Sequence, residues 1–412
     1  MLVVPAAPLC FAMCAGCAPL VCGFVLGAAG MCIHSRIVRG IFCAAAAPAP
    51  YLCSKDVYMN NQQDACGSVS QHATAMPAGV AVNSDSTSDF KALDYNQSEN
   101  VHIIVDSTSD IPVATVKRLG FEVINFSYID DRGVEHEDDM WQSISSHEFY
   151  EHMRKNPTVH YTTAAVTPGK YYEVFKRAAE VGTPTLYMGL SAGLSSSIDS
   201  ARRAQSMIHD EYPNFELYVL DNRCDSAAGA LLAMEVANQA SLGLTARELY
   251  EWARDARYFL HGFFTLENFN ALAAGGRIPP AAASVGGKLN IKPVLSYDLN
   301  GALTLSGMCR GRKKALRAML QSFAEQYAFD TSLPMALASS DCEKDIDWLE
   351  KEIRKIKGCE RLTIVRTQVS AVLGVHTGPD MAALVFWGSD RRTQQSLADK
   401  IAQKIKRSMG AQ

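Results

Sequence analysis

The chain has 412 residues, of which 48% are hydrophobic, 20% charged and 8% aromatic. At roughly 150 residues per domain this length predicts two or three domains, with ample chain to bury real cores. A net charge of -4, from 39 basic and 43 acidic residues, excludes a surface built wholly for polyanions, and the composition excludes collagen-like, globally disordered and polytopic membrane classes.

Residues 1–33 carry no charge and are rich in Ala, Cys, Leu, Val and Gly, a run long enough to span a bilayer. A secretory signal places basic residues before its apolar run, whereas here Arg36 and Arg39 follow it. Residues 54–100 are polar and aperiodic, the pattern of disorder. A membrane anchor, an atypical export signal and an over-extended translation start are all open for this segment. The abrupt start of folded pattern near Val101, with Met59 and Met76 as alternative initiators, favours the last. Eight of the twelve cysteines fall between Cys10 and Cys66, and Cys14-x-x-Cys17 lacks the second pair that a metal site needs. Cys224, Cys309, Cys342 and Cys359 are widely spaced, which predicts a reduced, cytoplasmic protein with neither a disulfide framework nor a metal centre. Residues 1–100 are therefore read as an extension outside the fold.

From Val101 onward apolar runs alternate with amphipathic stretches. Val101–Val105 predicts a buried strand, followed by a helix ending near Gly120. Further strands are expected at Val123–Tyr128, Thr185–Leu190 and Glu216–Leu220. Thr167-Pro168 supplies a cap and a first-turn proline, a helix starts near Ser197, and Thr245 caps another that runs to about Arg257. Strands alternating with helices predict a mostly parallel, three-layer α/β domain over residues 101–257.

The rhythm changes after residue 258. Tyr258–Leu266 is strand-like, and Ile291–Tyr297 and Ala302–Met308 flank an Asn300-Gly301 hairpin turn. Helices over 311–328 and 343–356, strands over 335–340, 361–367 and 382–387, and a final helix from about 393 predict a second α/β domain, 258–412, with a mixed sheet.

Polar residues cluster where strands should end: Asp106–Asp110, Thr162-Thr163 and Ser191–Ser197. In open α/β sheets ligands collect at such ends, where helix N-termini offer free N–H groups. The alternative is that these hydroxyls are simply caps. Gly275-Gly276-Arg277 is a tight turn expected to leave the arginine projecting, Arg310–Lys314 is a basic run opening a helix, and His376 stands between a strand and a Gly-Pro turn. Ser195, His376 and Asp106 are the residue types of a hydrolase triad, although the second glycine of a G-x-S-x-G elbow is missing. Arg310–Lys314 also leaves open a module for anionic polymers. No dinucleotide fingerprint, P-loop or HExxH motif occurs.

Seven segments together resemble the DegV family of bacterial fatty-acid-binding proteins: IIVDSTSD ending at Asp110, TTAAVTPG (162–169), LSAGLSSSIDSA (190–201), LAAGGRI (272–278), KPVLSYDLNGAL (292–303), CRGRKKAL (309–316) and VHTGPDMAALVFWG (375–388). The resemblance implies a two-domain α/β fold holding one long-chain fatty acid in a tunnel. It also implies a carrier rather than an enzyme, with no cofactor, no metal and no nucleic acid partner. It implies further that a separate fatty acid kinase phosphorylates the presented carboxyl group, with membrane contact expected only transiently or through the N-terminal segment. Carried over by position, Thr163, Ser191, Ser195, His376 and Arg310 match the family's motif residues, with Ser195 favoured to hold the carboxylate and Arg277 expected to dock the kinase. The chain departs from the family where Ala164-Ala165-Val166 replaces Ser-Gln-Pro, where Ala192 replaces a loop serine, and where Asp380 replaces a glycine.

Overall fold

The computed structural model describes residues 100–279, 290–328 and 330–393. The apolar extension, the Cys14-x-x-Cys17 pair and the final helix expected from 393 lie outside the described residues.

The first half alternates strand and helix. It begins with β1 (His102–Asp106), α1 (Val113–Leu119) and β2 (Glu122–Ile124), continues through the short strands β3 (Ser127–Ile129) and β4 (Glu135–Glu137) to α2 (Ser146–Lys155), and then gives β5 (Thr162–Ala164) and α3 (Pro168–Val181). β6 (Thr185–Gly189), α4 (Ser197–Glu211), β7 (Leu217–Asp221), α5 (Ser226–Ser241) and α6 (Ala246–Ala256) complete it. The local signals work as expected: Thr167 Oγ1 accepts from Lys170 N with Pro168 in the first turn, and Thr245 forms a capping box with Glu248. β2, β1, β6 and β7 form an all-parallel sheet in that order, with β7 at its edge. The single strand expected over Val123–Tyr128 is two. β2 joins the parallel sheet, while β3 pairs antiparallel with β4 and β5 in a separate small sheet. Between them Phe126 is buried and its N–H donates to Ser107 Oγ (3.1 Å), which turns the chain out of the first sheet.

The second half contains β8 (Leu260–Thr265), α7 (Asn270–Ala274), β9 (Ile291–Tyr297), β10 (Leu303–Arg310), α8 (Arg312–Gln326), β11 (Met335–Ser339), α9 (Glu343–Ile353), β12 (Ile364–Gln368), α10 (Ala371–Thr377) and β13 (Ala382–Trp387). Its six strands form one mixed sheet, β10-β9-β8-β13-β11-β12, in which only β11 and β12 pair in parallel. The β9–β10 turn is the Asn-Gly hairpin: Gly301 takes φ 78, and Asp298 Oδ1 accepts from Asn300 N and Ala302 N.

Alternation along β13 assigns the two faces of this sheet. Leu384 and Phe386 pack with Leu316, Phe323 and Leu349 of α8 and α9, while Ala383, Val385 and Trp387 join a core that continues into the first half. α5, buried on nearly every side, belongs to that shared core and touches both β6 and β13. The small side chains of Ala383 and Val385 line a cavity between the sheets.

Candidate functional site

That cavity lies past the carboxyl ends of β6 and β7 and has a volume of about 790 Å³ counting its mouth. Phe126, Leu190, Phe264, Leu272, Val372 and Met381 give it a largely apolar wall. Its polar groups are few. Thr163, the central residue of β5, places Oγ1 2.8 Å from His376 Nε2 on α10. Ser195, from the loop before α4, has its hydroxyl 2.9 Å from that of Ser197 and accepts from Ser197 N (3.2 Å). Ser197 Oγ in turn accepts from Val166 N (3.2 Å).

Burial, with Arg277's positive charge adding to it, pushes His376 down to about 4, so its imidazole is neutral at pH 7. In the tautomer that carries its proton on Nε2, the imidazole donates to Thr163 Oγ1 and leaves the threonine's own proton for the cavity. With the Ser197 hydroxyl, which accepts from Val166 N–H, as donor to Ser195, the Ser195 proton is likewise left for the cavity. Arg277, also on the lining, supplies a cation. Two hydroxyls and a half-buried guanidinium on the lining of a largely apolar cavity suit a single carboxylate carrying a long apolar tail.

The model described as "Uncharacterised protein, DegV family" matches residues 100–388. The chain belongs to the DegV family. Its relatives include the DegV domain-containing proteins CPE0026 of Clostridium perfringens, 27% identical over 70% of this chain and 98% of the relative, and YteA of Lactococcus lactis subsp. lactis, 30% identical over 68% and 96%. Among solved structures, the fatty-acid-binding DegV family protein from Thermus thermophilus superposes with a TM-score of 0.61 at 24% identity, covering 70% of this chain and 99% of its own. A stearic acid-binding protein from Eubacterium ventriosum gives 0.62 at 24%, covering 71% and 100%. The Streptococcus pneumoniae Fatty Acid Kinase B3 protein loaded with linoleic acid gives 0.61 at 20%, covering 70% and 100%. These structures share the two-domain α/β fold of this DegV chain.

Not every DegV motif residue reaches the cavity. Ser191 is fully buried behind it: its hydroxyl donates to Gly301 O (2.8 Å) and accepts from Gly193 N (3.1 Å), tying the loop to the tip of the β9–β10 hairpin. Arg310 is exposed at the end of β10 and does not line the cavity. Arg277 does not project. Its guanidinium folds back to donate to Leu194 O (3.1 Å) and Gly275 O, because two loop carbonyls lie within its reach. In the basic run, Arg312 pairs with Asp345 (2.7 Å) and so joins α8 to α9. The hydrolase triad is not assembled: Ser195 bonds Ser197, His376 bonds Thr163 through Nε2, and His376 Nδ1 has no partner. Asp106 instead accepts from Leu190 N (2.7 Å) and Thr108 Oγ1 (2.6 Å), holding the start of the serine loop.

His376 itself lies in the last turn of a helix, not in an open loop. Ser370 caps α10, Asp110 accepts from Ser370 N (2.9 Å), and Asp138 accepts from Val372 N (3.4 Å) and Ser107 Oγ (3.3 Å). The DSTSD segment thus acts on the site through the helix that carries the histidine. Asp380, in the family's glycine position, takes φ 64 and pairs with Arg154 (2.9 Å). Ser197 and Asp225, both joined to the site, are additions to the expected set. Ser197 stood within the serine segment, whereas nothing in the sequence pointed to Asp225. Burial pushes Asp225 up to about 6, and Tyr297 OH donates to it. Among the described residues no cluster of metal-ligating groups occurs, and no helix is long and apolar enough to cross a membrane.

Burial also pushes Asp138 up to about 7. A carboxyl that holds its proton more tightly folded than unfolded gives stability that is complete below about pH 4 and is lost as pH rises through 7, amounting to at most about 4 kcal/mol. His261 and His376, each pushed down to about 4 by burial, act in the opposite sense. Comparing Asp138→Asn with the parent isolates the one carboxyl. The variant should gain stability relative to the parent between pH 5 and pH 8 in urea unfolding, and a difference constant with pH would contradict the assignment.

Proposed function

We propose that this DegV protein binds one long-chain fatty acid, with the acyl chain in the cavity and the carboxylate held by Thr163, Ser195 and Arg277. The observation that carries this reading is a cavity with a largely apolar wall whose lining also holds the Thr163 and Ser195 hydroxyls and the Arg277 guanidinium. At about 0.8 kcal/mol per buried methylene, a chain of about fourteen contributes roughly 11 kcal/mol before entropy costs. The tail supplies affinity and the hydroxyls supply orientation. The direct test is native mass spectrometry of protein expressed in bacteria: a co-purified mass of fatty acid size supports it. Protein that carries no lipid and takes up no added oleate refutes it.

The same reading extends to a carrier that presents the carboxyl group to a fatty acid kinase. It is supported by the fold shared with the Fatty Acid Kinase B3 protein. We place Arg277 in charge balance for the carboxylate rather than on a docking surface. Arg277→Ala should weaken oleate binding about tenfold, the cost of losing one charge-assisted hydrogen bond. Unchanged affinity together with slow acyl-phosphate formation by the kinase would return Arg277 to docking.

A further inference from the structure

A second concave site lies outside the cavity and shares no lining residue with it. It is a groove of about 870 Å³ counting its open mouth, running along edge strand β7 between α4 and α6. Arg202, Arg223, Arg254 and Arg257 line it, against one carboxylate, Asp221. Arg202 and Arg254 are paired near the surface with Asp199 (3.0 Å) and Glu251 (2.8 Å). Arg223 and Arg257 form no ion pair among the described residues. Their Nη1 atoms donate to neutral groups, Leu299 O (2.8 Å) and Tyr258 OH for Arg223 and Asp221 O for Arg257. The Nε of each is buried without a partner, although Arg257 is only 8% exposed. Both guanidiniums lie against the Tyr258 ring, 5.5 and 5.2 Å from its centroid.

Arg257 is buried and Arg223 half-buried, and with Arg392, also stacked on the Tyr258 ring at 4.7 Å, they crowd positive charge there. Neither Arg223 nor Arg257 gains an ion pair among the described residues, an arrangement that a bound anion relieves. Their planar forks match the tetrahedral oxygens of a phosphate. The groove exceeds the size of a bare phosphate, and the stacked Tyr218–Tyr250 pair (5.5 Å between centroids) offers a wall for an organic remainder. We propose that this groove binds a phosphate-bearing anion, with Arg223 and Arg257 as its principal donors. Such a group could reach it in solution, as pyrophosphate or a nucleotide, or on a lipid headgroup.

Two assays on the full chain separate these sources. Calorimetric titration with pyrophosphate at low salt should show saturable binding that weakens at least tenfold in Arg223→Gln and in Arg257→Gln. Co-sedimentation with phosphatidylcholine vesicles, with and without phosphatidylglycerol, reads the headgroup. Sedimentation that needs phosphatidylglycerol and Arg223, without pyrophosphate binding, supports the site and assigns it to lipid. Arg223, half-exposed at the rim, keeps the test available if the buried Arg257 variant does not fold. Oleate binding should be unchanged in Arg223→Gln, since the residue is absent from the acyl cavity. No binding in either assay, or equal binding by parent and Arg223→Gln, overturns the proposal.

Discussion

Replacing Thr163 and Ser195 together by alanine lowers fatty acid affinity by at least tenfold while the protein stays folded. Each hydroxyl is bonded from behind, Thr163 by His376 Nε2 and Ser195 by Ser197, whose Oγ accepts from Val166 N. Removing both leaves the carboxylate with Arg277 alone, and each lost hydrogen bond to a charged group costs roughly 1.5 to 3 kcal/mol. The cost to the fold is smaller. Ser195 Oγ accepts from Ser197 N at the start of α4, a capping contact worth about 1 kcal/mol. Thr163 loses one bond to a half-buried imidazole. Thermal unfolding should therefore fall by only a few degrees. Displacement of a fluorescent fatty acid, measured beside a melting curve, checks both halves. Unchanged lipid retention by the folded double variant would show that the head group lies elsewhere.

Gly275→Ala is expected to have an effect of similar size for a different reason. A Cβ built there lies 2.2 Å from His376 Nδ1 and 2.9 Å from its Cε1. The backbone at Gly275, φ -76 and ψ -6, suits alanine, so the main conflict is with the imidazole, beside a tight 3.3 Å contact with Ala271 O. The ring cannot turn aside without breaking its bond to Thr163, which removes the contact behind one of the two hydroxyls. Oleate affinity should fall about tenfold, and the histidine ring resonances should shift in NMR spectra. The neighbouring glycine provides the contrast. Gly276 takes φ 72 with nothing within 4 Å of its Cβ position, so Gly276→Ala strains the turn by about 1 to 2 kcal/mol and leaves His376 in place. Full affinity in Gly275→Ala would remove His376 from the site.

Local signals carried much of the architecture. Buried-strand runs at Val101–Val105 and Thr185–Leu190, the Thr167-Pro168 and Thr245 caps and the Asn300-Gly301 turn depend on a few adjacent residues, and the structure keeps each one nearly where it was read. The seven segments in family order located Thr163, Ser195 and His376, which the fold brings together on one cavity. α5 was not legible because it is apolar all round, buried between two sheets, and so shows no amphipathic period. α10 carries a weak local signal because Val372, Gly374 and Val375 are poor helix formers. Bonds from Asp110 and Asp138, more than 200 residues away, complete its first turn.

The sequence by itself determined the order of strands and helices, the caps that start them and the residue types able to hold a carboxylate. Which hydroxyl faces the cavity was a tertiary decision. Ser191 and Ser195 stand four residues apart in one loop, yet the hairpin tip takes the first while the second bonds Ser197 and lines the cavity. The direction of Arg277 was decided the same way, by the carbonyls of Leu194 and Gly275. A side chain's donors are fixed by its chemistry, but its partners are fixed by what the folded chain places within about 3 Å of it.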